Sequence, residues 1–389
     1  MLRKLLLLFM ILLLTLIKRQ PMNLLANDNN IVDLGIESYG CILIESKTGK
    51  VIYEKNMNEK LYPASMTKMM GMLLVLEAKE KNIIKFEQEI IISNEASKMG
   101  GSQVFLEPGE TITIEQLFKC VTIASANDAM YALAETVAGS EYKFVQNMNK
   151  RAKELGMKNT NFVNTTGFDD VNHYSSPQDM AKLARELMLK YEKEVTKYSS
   201  LKESYIREDT SEPFWLVNTN RLLGDYIGLD GLKTGFTQDA GFCLTATAKR
   251  DNLRLISVVM KSDTKETRSR DTVRLLDYGF SNYKCLKLYS KDEVIASCSF
   301  NHATKKNTMI SVKEDVFIIV KNEENIESIY KEIIIEKTTA PIKANEKVGV
   351  LKIKNGEDFL FEYELYSIED VDFLHWYDYL IDLFLDMLL

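Results

Sequence analysis

The stretch Tyr62-Pro63-Ala64-Ser65-Met66-Thr67-Lys68-Met69-Met70-Gly71-Met72-Leu73-Leu74-Val75 reads as the opening of a long helix that Pro63 starts and that continues to about residue 81. Met66, Met69, Met70, Leu73, Leu74 and Val75 make it apolar on most sides, so it belongs inside a domain. Upstream, residues 41–45 and 51–54 are β-prone runs around Ser46-Lys47-Thr48-Gly49-Lys50, a hairpin that begins an antiparallel sheet. Downstream, Thr113 with Gln116 has the capping-box pattern for a helix to about 123, and a second helix from 128 stops at Gly139. Helices near 141–155 and 176–189 follow, separated by a polar loop through Asn164-Thr165-Thr166-Gly167. Residues 226–234, 241–248 and 253–260 then alternate as strands, and 268–278 reads as a closing helix. Strands at both ends of a helical middle predict an α+β domain over 32–282, its sheet assembled from distant segments. Short β-rich runs, such as 316–320 and 332–336, predict a small all-β domain over 283–367.

A chain of 389 residues, 46% apolar and 27% charged, has the composition of folded multidomain proteins. Its net charge of −7 offers no general field for a phosphate backbone, so nucleic acid is not an expected partner. The five cysteines are scattered without a C-x-x-C pair, which argues against zinc or a disulfide framework, and no metal or cofactor is expected. Only three histidines are present, and His173 alone falls in the central region, so a Ser-His-Asp triad has almost no material.

Both ends carry apolar segments. Arg3 and Lys4 precede an apolar run over 5–17, the length of a signal-peptide core, with Leu24-Leu25-Ala26 as a cleavage candidate. Residues 1–26 are therefore expected to direct export, either as a cleaved signal or as an uncleaved anchor. Their removal takes away four cations and moves the net charge to −11. Residues 368–389 form a tail in which 373–389 reads as an amphipathic helix, with Asp378, Asp382 and Asp386 on one face and no Lys or Arg. Peripheral membrane contact by apolar burial and self-association are its two readings.

Ser65-Met66-Thr67-Lys68 has the form Ser-x-x-Lys, which on a helix puts an amine one turn from a hydroxyl and on the same face. A serine attacking a carbonyl needs a base, and without a usable histidine Lys68 can serve if it is neutral part of the time. Burial and a second cation both depress a lysine pKa. Ser262 to Lys265 and Ser281 to Lys284 have the same spacing, so the motif alone decides nothing. Ser125-Ala126-Asn127 in a tight inter-helix connection and Lys233-Thr234-Gly235 at the end of a strand offer a hydroxyl, a carboxamide and a second cation on elements that can converge on one cleft.

With these motifs the chain resembles the serine-type D-alanyl-D-alanine carboxypeptidases, the low-molecular-weight penicillin-binding proteins. Sixty residues separate Ser65 from Ser125 and 108 separate Ser125 from Lys233, as in that family. His173-Tyr174-Ser175-Ser176, and Phe236-Thr237 followed by Ala240-Gly241, match it too. The resemblance implies a penicillin-binding, serine β-lactamase-like domain, an antiparallel sheet with a helical cluster, followed by the β-domain. It implies an exported hydrolase that removes the terminal D-alanine from peptidoglycan stem peptides through an acyl-enzyme at Ser65 and binds β-lactams covalently.

Residue by residue, the resemblance makes Ser65 the nucleophile, Lys68 its base and Ser125 a proton relay between Lys233 and the leaving amine. Asn127 would hold the substrate amide, and Ser65 and Phe236 would give the oxyanion hole through their backbone N–H groups. Lys233 and Thr234 of the Lys233-Thr234-Gly235 strand would bind the terminal carboxylate, with Arg268 assisting. His173 and Cys243 read as structural. A class A β-lactamase would need a deacylating glutamate, and residues 158–171 contain none. A catalytically silent wall-binding protein predicts eroded motifs, and all three are intact.

Overall fold

The computed structural model describes residues 32–305, 307–324, 326–355 and 358–378. The expected export segment over 1–26 and the tail beyond residue 378 lie outside the described residues. The chain divides after Ile36 into two units, of which the second begins at Glu37.

The first hairpin pairs β1 (Gly40–Glu45) with β2 (Val51–Lys55), and Glu45 closes its turn by accepting from the Lys47 and Thr48 N–H groups at 2.9 and 2.7 Å. β1 is buried along its whole length because it also pairs with β9 (Leu253–Ser262), Cys41 standing opposite Val259. With β7 (Leu229–Thr237) and β8 (Gly241–Arg250) the order is β2-β1-β9-β8-β7, antiparallel throughout. β7 is thus an edge strand. Ser38 donates its hydroxyl to Asp271 at 2.6 Å across 233 residues, tying the start of this sheet to the closing helix.

The buried helix expected after Pro63 has two parts. Ala64–Thr67 is a 3₁₀ turn, entered through Ala64 at φ 47°, and the α-helix proper is α1 (Lys68–Glu80). Met66, Met69 and Met70 are wholly buried in the main core. A two-stranded ribbon, β3 (Glu89–Ile91) with β4 (Thr111–Thr113), leads into α2 (Ile114–Ile123). The capping box forms: Gln116 N–H donates to the Thr113 hydroxyl at 3.2 Å, and Thr113 N–H donates to the Gln116 carbonyl at 3.3 Å. Such a cap contributes about 1 kcal/mol. α3 (Asn127–Ala138) ends on left-handed Gly139 and is followed by α4 (Glu141–Glu154).

The helix expected to end near residue 189 continues as α5 (Pro177–Ser199), broken at Tyr191, where φ is −130° and ψ is 31°. Its tyrosine hydroxyl is drawn sideways to the Glu80 carboxylate on α1. A small hairpin, β5 (Glu203–Ile206) with β6 (Phe214–Val217), precedes β7, and α6 (Lys265–Asn282) packs back on the sheet.

The remainder is β-structure: β10 (Tyr283–Tyr289) pairs with β13 (Val316–Lys321). β11 (Val294–Cys298), β12 (Thr308–Ser311), β14 (Ile329–Ile335), β15 (Lys347–Asn355) and β16 (Asp358–Ser367) form a sheet of order β11-β12-β16-β15-β14. A separate core gathers Ile310, Ile318, Val348, Leu351 and Leu365. Among the described residues no helix is long and apolar enough to cross a membrane.

Candidate active site

Ser65 sits on the 3₁₀ turn, and two glycines let other segments close on it. A methyl group built on Gly167, at φ 88°, would lie 1.9 Å from the Ala64 carbonyl oxygen. One on Gly235 of β7 would lie 2.7 Å from the Pro63 carbonyl oxygen and 3.2 Å from Ser65 N. The polar loop and the edge strand therefore approach the serine at backbone distance, which any side chain would prevent.

Lys68, in the first turn of α1, is completely buried, and its Nζ lies 2.8 Å from Ser65 Oγ and 2.8 Å from the Thr166 carbonyl oxygen. Burial first, then the nearby Lys233 charge, pushes its pKa well below the ordinary lysine range, while Asp128 pulls the other way. A neutral amine that gives one N–H to Thr166 keeps its lone pair for the serine proton. Lys233 is also buried, and burial together with Arg268 brings its pKa down to about 7. Its Nζ reaches the Thr234 carbonyl oxygen at 3.2 Å.

Ser125 occupies the connection between α2 and α3 in left-handed conformation, at φ 63°. Asn127 follows at the start of α3, its Nδ2 donating to the Gly100 carbonyl at 2.6 Å while its buried Oδ1 has no hydrogen-bond partner. The Thr234 hydroxyl meets that of Thr219 at 2.7 Å. Ser65, Ser125, Thr234, Gly235, Phe236 and Arg268 all line one open cleft of about 860 Å³. Lys68, Lys233 and Asn127 are buried. Phe236 is half exposed and stacks on Phe242, ring centroids 4.3 Å apart.

Arg268 is distinguished from its helix neighbour Arg270. It is only 5% exposed and lines the cleft, whereas Arg270 binds Glu37 at 2.8 Å. His173 is spent on structure: Nε2 meets the Thr67 hydroxyl at 2.8 Å and Nδ1 accepts from Val163 N–H at 3.1 Å. Burial lowers its pKa to about 4, so it is neutral. Cys243 is a buried thiol pushed up to about 11. Among the described residues no cluster of His, Cys, Asp and Glu could hold a metal ion.

Three contributors carry no motif. Thr166 acts through a backbone carbonyl, which residue type does not encode. Asn164 builds the turn beneath it, its Oδ1 accepting from the N–H groups of Thr166, Gly167 and Phe168 at 3.2, 2.7 and 3.2 Å. Thr219 is placed by the buried Asn218 and Asn220, whose amides reach the Leu201 and Gly231 carbonyls at 2.9 and 3.2 Å. The Asn164-Thr165-Thr166-Gly167 turn composition was the one available signal.

Residues 27–264 match the D-alanyl-D-alanine carboxypeptidase family, and residues 283–372 match the penicillin-binding protein 5 C-terminal domain. D-alanyl-D-alanine carboxypeptidase DacF of Bacillus subtilis is 45% identical over 340 residues, 87% of each chain. The crystal structure of penicillin-binding protein 5 from Haemophilus influenzae superposes with a TM-score of 0.78 at 29% identity, covering 87% of this chain and 98% of that one. Penicillin-binding protein D2 from Listeria monocytogenes in its ampicillin-bound form, 32% identical, superposes with a TM-score of 0.56 over 62% of this chain and 97% of that one. With a buried lysine on the serine, two further motifs around the same cleft and this degree of likeness, the chain belongs to the D-alanyl-D-alanine carboxypeptidase family.

Proposed function

We propose that this enzyme removes the terminal D-alanine from peptidoglycan stem peptides by the following steps. Ser65 gives its proton to the neutral Lys68 amine and attacks the carbonyl carbon of the penultimate D-alanine. The oxyanion is met by the Ser65 and Phe236 N–H groups, which the close approach of Gly235 to the serine turn supports. Ser125 relays a proton to the leaving nitrogen, the C–N bond breaks, and free D-alanine departs from an ester on Ser65. Water then attacks the ester and restores the serine. Thr234, Lys233 and Arg268 hold the terminal carboxylate, and Asn127 offers its unpaired Oδ1 to the substrate amide.

A β-lactam enters the same sequence, but its leaving nitrogen stays tethered to the acyl group, so the adduct persists. Export to the wall, through residues 1–26, belongs to the same proposal, as does membrane contact by the tail. The observation that carries the reading is the 2.8 Å contact between Ser65 Oγ and a fully buried lysine whose pKa burial and the Lys233 charge pull down. Incubation with penicillin should place an adduct on Ser65, located by peptide mass mapping, and Ser65→Ala should lose both adduct and D-alanine release. An adduct elsewhere, or none on folded protein, would reject it.

A further inference from the structure

The loop that carries Thr166 and Gly167 continues into Phe168 and Asp169, and Asp169 is fastened to the sheet. Its Oδ1 accepts from the Thr237 hydroxyl at 2.6 Å, and Thr237 Oγ1 accepts in turn from Ala240 N–H at 3.0 Å. Both ends of this contact adjoin the cleft. Thr237 follows Phe236, which lines it. Thr237 also stands two residues beyond Gly235, so by the alternation of a strand its side chain leaves the face on which a methyl group on Gly235 would press the Ser65 turn. Asp169 in turn stands two residues beyond Gly167, which closes on the same turn.

β7 gives the substrate a direction. With the terminal carboxylate at Thr234 and the attacked carbonyl at the Phe236 N–H, the peptide runs toward its own N-terminus as the strand runs toward Thr237. Gly235 and Thr237 are on the order of 7 Å apart along an extended strand. The Cα of the residue before the penultimate D-alanine lies on the order of 5 Å from the attacked carbon. The side chain of that residue, third from the C-terminus, falls within reach of Asp169. A second observation points to a peptide in this corner: Asn127, only 4% exposed, keeps a buried Oδ1 with no hydrogen-bond partner. A methyl group on Gly101 would lie 2.7 Å from Asn127 Nδ2 and 3.5 Å from the Phe168 ring, so the carboxamide and the ring flank one glycine.

Charge selects the side chain. Asp169 is exposed, and among the described residues its carboxylate pairs with no lysine or arginine. The elements around it carry Asp169, Asp170, Asp239 and Glu266 against Lys98 and Lys265, a balance that favours a cation. Lys60 and Lys261 are turned onto the Tyr174 and Tyr39 rings, at 4.5 and 5.1 Å. Phe168, part exposed beside Asp169, offers the apolar surface that the methylene stem of an amine-bearing side chain covers. We propose that Asp169, oriented by Thr237, receives the amine of a cationic side chain on the third residue from the C-terminus of the stem peptide. The inference rests on the carboxypeptidase reading for the direction of the peptide.

The test compares Nα-acetyl-L-lysyl-D-alanyl-D-alanine with its Nε-acetylated form, on the full chain at neutral pH. kcat/KM should be about threefold higher for the free amine, the scale of an exposed ion pair, and the preference should shrink as salt rises. In Asp169→Asn, which keeps an acceptor for Thr237, and in Asp169→Ser, the ratio of the two substrates should fall to about one. In Asp239→Asn it should stay near the wild-type value. Because the readout is a ratio, a general loss of activity cancels. A wild-type chain without the preference overturns the inference, as does a preference that survives both Asp169 variants or that Asp239→Asn removes equally. The same peptides used as competitors of penicillin acylation at Ser65 give the ratio without turnover. A preference there with no D-alanine released keeps Asp169 as the amine site and rejects the carboxypeptidase reading.

Discussion

The Lys68 amine and the Thr166 carbonyl oxygen are 2.8 Å apart, so the base of this site is oriented by a backbone atom of a loop almost a hundred residues away. Asn164 and Glu141 hold that loop, Asn164 through three backbone N–H groups and Glu141 through the Thr165 N–H and hydroxyl. Asn164→Ala removes the common acceptor of three backbone N–H groups and should let the carbonyl drift, lowering kcat about tenfold while KM changes little. Steady-state kinetics on a pentapeptide would show it. Recovery of activity in Asn164→Asp, which keeps the acceptor, separates this role from general loosening.

Both buried lysines hold their folded pKa values below the unfolded one. Between those values the unfolded chain binds more protons, so stability rises with pH across the window, for Lys233 from about 7 up to the ordinary lysine value of 10.5. Lys68→Met should therefore melt higher than wild type at pH 7 while its acylation by penicillin falls by on the order of 10² to 10⁴. Melting curves at several pH values, beside adduct formation, test both halves.

The rate should follow a bell in pH. Its acid limb reflects Lys68 losing its proton, and its basic limb reflects Lys233 losing the charge that holds the carboxylate above about pH 7. A bound carboxylate favours the charged lysine, so the basic limb of kcat should lie at higher pH than that of kcat/KM. Lys233→Arg should move the basic limb out of reach; an unmoved limb would assign it elsewhere.

Gly167 and Gly109 have nearly the same φ, 88° and 83°, yet only Gly167 has a neighbour in the way. Gly109→Ala should cost about 1 kcal/mol, the strain of the conformation alone. Gly167→Ala should cost more than about 3 kcal/mol and abolish acylation, because the Ala64 carbonyl must move. Denaturant unfolding of the two variants makes the comparison.

Thr219→Val removes the hydroxyl that meets Thr234. Recognition of a free C-terminal carboxylate should weaken several-fold, with a neutral ester analogue little affected. Equal losses on both substrates would mean that Thr234 is not the group being oriented.

The sequence made the Ser65–Lys68 contact legible because a hydroxyl and an amine three residues apart are forced together by any helical turn. Thr113 and Gln116 were legible for the same reason, since a capping box is local. The 3₁₀ turn was not, because apolar periodicity cannot distinguish a tight first turn from an α-helical one; the close approach of Gly235 and Gly167 to it is likewise a contact between distant segments. The break at Tyr191 carries no proline or glycine to announce it, and the hydroxyl's bond to Glu80 is a contact between distant helices. Thr166 stayed invisible because its carbonyl, not its side chain, touches the lysine.

The pairing of Cys41 with Val259 joins strands more than two hundred residues apart. Closing a loop of that length costs conformational entropy before the pairing repays it, whereas the hairpins β1–β2 and β7–β8–β9 are local. Without that pairing the serine and lysine are present but the interior that lowers the lysine's pKa is incomplete. Reactivity is then a property of the assembled interior and not of the Ser65–Lys68 pair alone.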